Sequence, residues 1–297
     1  ILDFYAGLFG PYPYERLTIV QRLWPAAGGV SPPGFVVLNE PPWIGDRSYA
    51  SGLDNPVYLA NWEEHFLAHE IAHQWWGQAV TWGNYRDQWL SEGLSQFAAV
   101  LFLRFKHGER AYLSILKKLS QWTERKSVNG PVSLGSRLSY FDYDAYQAIV
   151  YNKATLALLM LKNLVGDEAF FAGLREFFST QQFKPARTGQ FILALEKSTR
   201  QDLKTFFDGW FFAYELPDVV SAKEEEQVGD GFQLRLRLSQ KNGPFIFPLT
   251  VEWTVDGRLS RERFIVDEPS EEIVLPTGLR GAKVRLNPDR AVPGRFR

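Results

Sequence analysis

Two histidines spaced four residues apart constrain this chain more than any other feature. Residues 69–73 read His-Glu-Ile-Ala-His, and on an α-helix that spacing places both imidazoles on one face, one turn apart. Two ring nitrogens placed in this way can reach one zinc ion, with the intervening Glu70 turned toward water on the metal. The stretch is therefore predicted to lie on a helix and to carry a zinc site.

A zinc ion that activates water has three protein ligands and one open position. Glu92 follows His73 after 18 intervening residues, 74–91, and is the candidate for the third ligand. Taken alone, a carboxylate in the first turn of a helix is explained by the helix dipole. Together with the histidine pair, the metal interpretation is favoured. We predict one Zn²⁺ per chain, bound by His69, His73 and Glu92, with Glu70 as the general base of a zinc hydrolase.

His65 lies on the same helical face as the histidine pair. At 1.5 Å per residue, His65 and His73 are about 12 Å apart along the helix axis, too far to share one metal ion. A site built from His65 and His69 would have Phe66, and not a carboxylate, in the place of the base. We therefore expect His65 to be a packed residue or one that contacts a metal-ligating side chain.

The composition excludes several classes of protein. The chain has 297 residues, 45% hydrophobic and 23% charged, which suffices for one large or two ordinary domains. It has no cysteine, so disulfides and thiolate sites are excluded. A net charge of −1 gives no indication of a nucleic-acid partner or an anionic membrane surface, and no apolar run approaches the roughly 20 residues of a membrane helix. Because the chain begins with Ile1, we expect a piece of a longer parent chain, and its compartment is not predictable.

Short strands and then helices are predicted for the first 217 residues. Apolar runs at 17–23 and 35–38 indicate strands, and a helical pattern over 62–76 carries the two histidines. Ser91 is the expected N-cap of a helix over 91–106. Its buried stripe is predicted to be Leu94, Phe97, Ala98, Leu101, Phe102 and Phe105. Further helices are predicted at 113–125, 143–164, 168–179, 189–198 (capped by Thr188) and 203–214.

The pattern changes to period two after Pro217. An acidic stretch at 224–226 is expected to be solvated, and apolar residues then alternate along 232–238 and 245–255. Asp256-Gly257 is a tight-hairpin signal leading into a strand over 258–266, with short strands at 273–275 and 283–286. These patterns predict an α+β chain with two domains, residues 1–217 and a small antiparallel β-sandwich over 218–297.

Two motifs resemble those of a known family. The histidine pair followed after 18 residues by Ser91-Glu92-Gly93 resembles the zinc site of the M1 (aminopeptidase N-like) metallopeptidases, which are gluzincins. That family usually has Asn-Glu-Gly at the third ligand. Residues 146–154, Tyr-Gln-Ala-Ile-Val-Tyr-Asn-Lys-Ala, are similar to the Tyr-x-x-x-x-Tyr-x-Lys-Gly segment of the family, with Ala154 in place of its glycine. The resemblance implies that Tyr151 donates a hydrogen bond to the developing oxyanion.

The resemblance extends over nearly the whole chain. It implies a thermolysin-like catalytic domain with a small mixed lobe and a helical lobe, followed by the small β-sandwich, and peptides as substrates. Residues 1–17 are similar to the entry of the catalytic domain and 166–217 to its helical half. The N-terminal β domain and the large C-terminal helical domain of the family have no counterpart in the chain.

One departure from the family concerns substrate recognition. The family has a Gly-x-Met-Glu-Asn motif on an edge strand, and its Glu holds the free α-amine of the substrate. Ungapped alignment places Ser31 at that Glu and Pro32 at the Asn. The strand over 34–38 is expected to pair with the substrate backbone. Whether the enzyme is an exo- or an endopeptidase therefore stays open.

Two rival functions stay open as well. The chain could be a catalytically silent binding module that keeps the fold and the metal, an interpretation that fits Ser31 and the missing outer domains. It could also be a zinc hydrolase of a non-peptide bond, because the same site can activate water toward other electrophiles.

Overall fold

The computed structural model describes residues 1–22, 28–39 and 63–297. This part of the chain contains both helices and sheets, as the α+β prediction requires. Among the described residues, the α-helices are α1 (Leu2–Phe9), α2 (Glu63–Ala72), α3 (Trp89–Lys126), α4 (Tyr143–Tyr146), α5 (Ala154–Val165), α6 (Asp167–Gln181), α7 (Thr188–Thr199) and α8 (Lys204–Phe207). The 3₁₀ and π-helical stretches are Tyr85–Asp87, Ser127–Asn129 and Val132–Tyr140 (3₁₀) and Gln147–Lys153 and Asp208–Phe212 (π).

The strands form four sheets within the described ranges. The strands are β1 (Thr18–Arg22), β2 (Gly29–Val30), β3 (Phe35–Asn39), β4 (Val80–Trp82), β5 (Lys184–Ala186), β6 (Asp218–Val228), β7 (Gly231–Gln240), β8 (Phe247–Val255), β9 (Arg258–Val266), β10 (Ser270–Pro276), β11 (Lys283–Leu286) and β12 (Arg295–Phe296). The sheet orders are β1-β3-β2, β4-β5, β10-β7-β6-β12 and β11-β8-β9.

The helix that carries the two histidines ends earlier than predicted. Trp62 lies outside the described residues, and α2 ends at Ala72 rather than at Trp76. The amide of Gln74 bonds to the carbonyl of Ile71 and that of Trp75 to the carbonyl of Ala72, so the chain leaves the helix through tight 3₁₀-type turns. His73 nevertheless keeps a helical position, since its amide donates to the His69 carbonyl at 3.2 Å.

Helix α3 corrects three expectations. It begins at Trp89, with Gln88 at the N-cap, so Ser91 lies inside the first turn and is not the cap. The predicted helices 91–106 and 113–125 are two halves of α3, joined at Gly108, whose φ of 78° interrupts the helical geometry. The predicted stripe is buried except for Phe105, which is 71% exposed and stacks on Phe4 of α1.

Other elements were missed or differ at their ends. Helix α1 was not predicted, and neither was strand β6, which contains the acidic stretch 224–226 and leaves it solvated as expected. In β6, Glu226 and Glu224 face the arginines of β7, with Glu226 at 2.8 Å from Arg235. Thr188 is the first residue of α7 rather than its cap, and its hydroxyl donates to Asp87 at 2.8 Å. Leu23, at the end of the first predicted strand, lies outside the described residues.

The hairpin and the alternating strands agree with the sequence. Asp256 and Gly257 both have positive φ, 47° and 74°, as a two-residue hairpin turn requires. They connect β8 and β9, which pair from Val255 and Arg258 onward. The alternating leucines of β7 are buried, namely Leu234, Leu236 and Leu238.

One helical run needs a correction to the membrane argument. Residues Tyr143–Val165 are long and apolar enough, by length and composition, to cross a membrane. However, 78% of their most apolar window is buried inside the molecule, which is the pattern of a core helix.

Helices and C-terminal strands share one hydrophobic core. Trp210 is fully buried, packs on Phe245 with ring centroids 5.5 Å apart, and donates from its indole nitrogen to the Ile246 carbonyl at 2.8 Å. Glu124 of α3 accepts from the backbone of Gly294 at 3.3 Å. The division into domains at residue 217 stays a prediction.

Candidate active site

Helices α2 and α3 bring three side chains together. His69 lies in α2, His73 follows its end, and Glu92 lies in the first turn of α3. The Nε2 atoms of the two histidines are 3.1 Å apart, and Oε2 of Glu92 is 3.5 Å from His69 Nε2 and 3.3 Å from His73 Nε2. His69 and His73, which are related by helical spacing, and Glu92, which is brought in by tertiary packing, therefore converge on a single point.

These three atoms fit a tetrahedral zinc ion. Zinc binds imidazole nitrogen and carboxylate oxygen at about 2.0–2.2 Å, so two ligand atoms of a regular tetrahedron lie about 3.3–3.6 Å apart. The three separations of 3.1, 3.3 and 3.5 Å are close to that range. Two imidazoles and one carboxylate are also the donor set expected for a zinc ion that keeps one position open.

Contacts at Nδ1, the ring nitrogen that points away from Glu92, fix the orientation of the His73 ring. Its Nδ1 lies 3.0 Å from the Trp76 carbonyl oxygen, which can only accept, so we assign the proton to Nδ1. The other ring nitrogen, Nε2, then faces Glu92. The hydroxyls of Ser91 and Ser95 lie 3.2 and 3.0 Å from the same Nδ1. Such contacts behind a ligand fix its tautomer and position.

The sequence argument missed these two serines. Ser91 and Ser95 are four residues apart and so share one face of α3. Their spacing around Glu92 was a signal, but Ser91 was interpreted as a cap. The role of Ser95 depends on where α2 ends and cannot be obtained from helical periodicity.

The charges around the site favour a cation. Burial lowers the pKa of the His73 imidazole, but the carboxylates of Glu92 and Glu70 outweigh burial and raise that pKa to about 9. Burial likewise raises the pKa of Glu92, but His73 and His69 outweigh it and hold that pKa well below the usual carboxyl range. The carboxylates thus stabilise positive charge between the two imidazoles.

Glu70 and Tyr151 line the same cavity, which has a volume of about 640 Å³. Burial and the charge of Glu92 raise the pKa of Tyr151 well above 10, so its hydroxyl stays protonated and able to donate. That hydroxyl is hydrogen-bonded to Tyr146, and the Tyr151 ring stacks on His69 at 5.8 Å between centroids. The structure thus places all five candidate residues of the sequence argument around one cavity.

His65 is fully buried, and its ring centroid lies 6.3 Å from that of His69. It lies outside the group formed by His69, His73 and Glu92. This placement agrees with the expectation of a packed residue.

The strand expected to pair with the substrate is not the one that faces the cavity. Strand β3 has neighbours on both sides, β1 and β2, so the expectation for residues 34–38 was wrong. Among the described strands, β2 is the edge of this sheet, and Gly29, Val30 and the following Ser31 line the cavity. Ser31 is 6% exposed, and its hydroxyl donates to Oε2 of Glu70.

Sequence comparisons relate the chain to known proteins. Residues 1–210 match the sequence model of the Peptidase family M1 domain. The chain is 24% identical over 292 residues to probable aminopeptidase 1 of Sulfurisphaera tokodaii, covering 97% of this chain and 36% of that protein. It is 29% identical over 239 residues to human glutamyl aminopeptidase, covering 75% of this chain and 24% of that protein.

A solved structure shows the same fold. The crystal structure of Legionella pneumophila aminopeptidase A in complex with aspartic acid superposes with a TM-score of 0.74 at 18% identity, covering 100% of this chain and 33% of that one. The chain thus spans about a third or less of the length of these relatives. Since the family match runs from Ile1 through both helices that carry the three converging side chains, this chain belongs to peptidase family M1.

Proposed function

We propose that this chain hydrolyses peptide bonds with one zinc ion held by His69, His73 and Glu92. The observation that carries the proposal is the convergence of these three donor groups, within 4.8 Å of one another, on a cavity that Glu70 and Tyr151 also line. Family membership supports it, because the relatives carry the names of aminopeptidases.

The residues take distinct roles in the proposed reaction. Bound zinc supplies Lewis acidity, which activates water and polarises the scissile carbonyl. Glu70 accepts the proton of the attacking water and passes it to the leaving amine. Tyr151 donates a hydrogen bond to the carbonyl oxygen as negative charge develops on it. Ser91 and Ser95 hold the His73 ring in the orientation that points Nε2 into the site.

We propose the finer architecture on the same basis. Residues 1–217 form a thermolysin-like catalytic domain with a small mixed lobe and a helical lobe, and 218–297 form a β-sandwich. The two C-terminal sheets, β10-β7-β6-β12 and β11-β8-β9, support the sandwich. Helix α2, which contacts both α3 and strand β3, supports the two lobes.

We infer that the substrate does not need a free amino terminus. Ser31 offers a hydroxyl rather than a charge to the cavity, and that hydroxyl is engaged by Glu70. Among the described residues that line the cavity, the carboxylates are Glu70 and Glu92, both of which already have roles. A substrate ammonium therefore has no further carboxylate to bind in this part of the chain.

The proposed activity is tested with the zinc-loaded chain and a fluorogenic peptide library. Hydrolysis should disappear on chelation and return with zinc. Glu70→Gln should keep one zinc per chain and lose activity by at least about 100-fold. Glu64→Gln, on the same helix but paired with Lys106 outside the cavity, should keep both. Full activity in Glu70→Gln with full zinc would refute the proposal.

The same experiment separates the rival functions. A chain that binds zinc but hydrolyses no peptide, and instead hydrolyses ester substrates, would be a hydrolase of a non-peptide bond. Binding of peptides without any turnover would identify a silent binding module. Comparison of each cleaved peptide with its N-acetylated form tests the inference about the amino terminus, and a strict requirement for the free amine would contradict it.

A further inference from the structure

A serine hydroxyl contacts the carboxylate that the proposed mechanism uses as its base. Ser31 follows β2 at the cavity wall and is 6% exposed, the same fraction as Glu70. Its Oγ donates to Oε2 of Glu70. A carboxylate oxygen accepts hydrogen bonds, so the Ser31 hydroxyl is the donor in this contact.

The backbone around Ser31 is held against Glu70. A Cβ built on Gly29 would lie 2.8 Å from the Val37 carbonyl oxygen and 3.2 Å from Cδ of Glu70, so only glycine fits there without a shift. Val30 pairs with Val37 of β3. The hydroxyl of Ser31 is thereby presented from a short, tightly packed strand and not from a free loop end.

The terminal torsion χ3 of a glutamate side chain, which sets the plane of the carboxylate, has a broad energy minimum and no narrow rotamer preference. A carboxylate that projects into a cavity needs a contact to fix the plane of its two oxygens. Among the described residues, Ser31 supplies such a contact, because its hydroxyl donates a hydrogen bond to the Glu70 carboxylate. With Oε2 held, Oε1 remains to accept a proton from water.

We propose that Ser31 is a positioning residue, whose hydroxyl holds the carboxylate of Glu70 in the orientation for proton transfer. The inference rests on the proposed function, because it assigns Ser31 a part in the same reaction. Ser31 acts through Glu70 and does not touch the scissile bond. If Ser31 stands where the family has its charged residue, as the ungapped alignment places it, the serine would orient Glu70 rather than bind the substrate amine.

The test compares Ser31→Ala, Ser31→Thr and Ser31→Val in the zinc-loaded chain. Threonine keeps the hydroxyl, and valine has nearly the same shape without it. We expect kcat to fall about 10-fold to 100-fold in the Ala and Val variants, the cost of a misplaced reacting group. KM should stay within about twofold and the zinc Kd should not change, since neither depends on the carboxylate plane. Ser31→Thr should recover most of kcat.

A readout that needs no activity keeps the two proposals apart. The infrared carboxylate band that is lost in Glu70→Gln identifies Glu70, and it should shift in Ser31→Val but not in Ser31→Thr. Absence of chelator-sensitive hydrolysis in the wild type would refute the proposed function without moving this band. Wild-type kcat in Ser31→Ala, equal kcat in the Val and Thr variants, a loss carried by KM, or an unshifted band would each overturn the role of Ser31.

Discussion

At the scale of single residues, the Tyr151 hydroxyl is the donor on which the proposed oxyanion stabilisation depends. Its pKa is raised well above 10, first by burial and then by the charge of Glu92, so it donates throughout the neutral range. Tyr151→Phe should lower kcat by about 100-fold to 1000-fold, the usual cost of losing one oxyanion donor. KM and zinc content should change little, because the ring and its stacking on His69 remain.

Steady-state kinetics and metal analysis check this expectation, and Tyr143→Phe is the matched control. Tyr143 also lines the cavity, but it is 56% exposed and carries no proposed role. An unchanged kcat in Tyr151→Phe, or a loss of zinc from that variant, would remove the assigned role.

The three converging side chains could be predicted because their geometry is largely local. The spacing of His69 and His73 defines a shared helical face, and the donor count of zinc then requires a third ligand such as Glu92. The contacts of Ser95 with His73 and of Ser31 with Glu70 join residues 22 and 39 positions apart. No periodicity in the sequence encodes contacts of this kind, because they depend on how strands and helices pack.

At the scale of elements, the first turn of α3 lies very close to the helix that carries Tyr151. A Cβ on Gly93 would be 2.8 Å from Cβ of Ala154 and 3.1 Å from the Val150 carbonyl oxygen. Gly93→Ala should therefore destabilise the chain by about 1–3 kcal/mol, as overpacking does. Ala154→Gly alone should cost up to about 1 kcal/mol through its lower helix propensity.

The double variant Gly93→Ala/Ala154→Gly gives the sharper result. Removal of the Ala154 methyl relieves the closest contact, so the pair should be more stable than the sum of the single changes predicts. Urea unfolding of the zinc-loaded variants measures the coupling free energy. Strict additivity would show that the two helices adjust without contact between these positions.

The predicted element boundaries were correct where the sequence pattern is regular, and they were wrong where tertiary packing determines the boundary. The alternation in β7 and the Asp256-Gly257 hairpin were predicted correctly, since period two and turn chemistry are local signals. The acidic stretch 224–226 is solvated as expected but was not predicted as a strand; it belongs to β6, where Glu224 and Glu226 pair with arginines of β7. Two separate helices, 91–106 and 113–125, were predicted, yet α3 continues through Gly108 to Lys126.

At the scale of the whole molecule, one buried lysine ties the helix of Tyr151 to the segment that leads into the C-terminal strands. Lys153 donates to the carbonyls of Ala213 at 2.9 Å and of Tyr214 and Glu215 at 3.4 Å. Burial lowers its pKa from 10.5 to about 7, although the charge of Glu215 opposes the shift. Between pH 7 and 10.5, Lys153 therefore carries a proton in the unfolded chain but not in the folded chain.

The stability of the wild type should therefore rise with pH across the window from about 7 to 10.5. The free energy of unfolding, relative to Lys153→Met, should increase by up to about 1.4 kcal/mol per pH unit. Urea unfolding of the zinc-loaded proteins at about pH 7.5, 8.5 and 9.5, all within this window, measures this difference. Lys197→Met, on the exposed face of α7, controls for the loss of a positive charge, and parallel curves for wild type and Lys153→Met would contradict the prediction.

The π-helical stretch Gln147–Lys153 has a further consequence for the arrangement of the molecule. Each hydrogen-bonded loop of a π-helix contains one residue more than that of an α-helix, and α4 and α5 continue it on either side. Deletion of one residue between Tyr151 and α5 would let the run close as a plain α-helix, and α5 would then turn by about 100° relative to Tyr151. The core packing of α5 and the cavity-facing tyrosine therefore coexist through a single surplus residue, which makes the length of this stretch as important to the site as its composition.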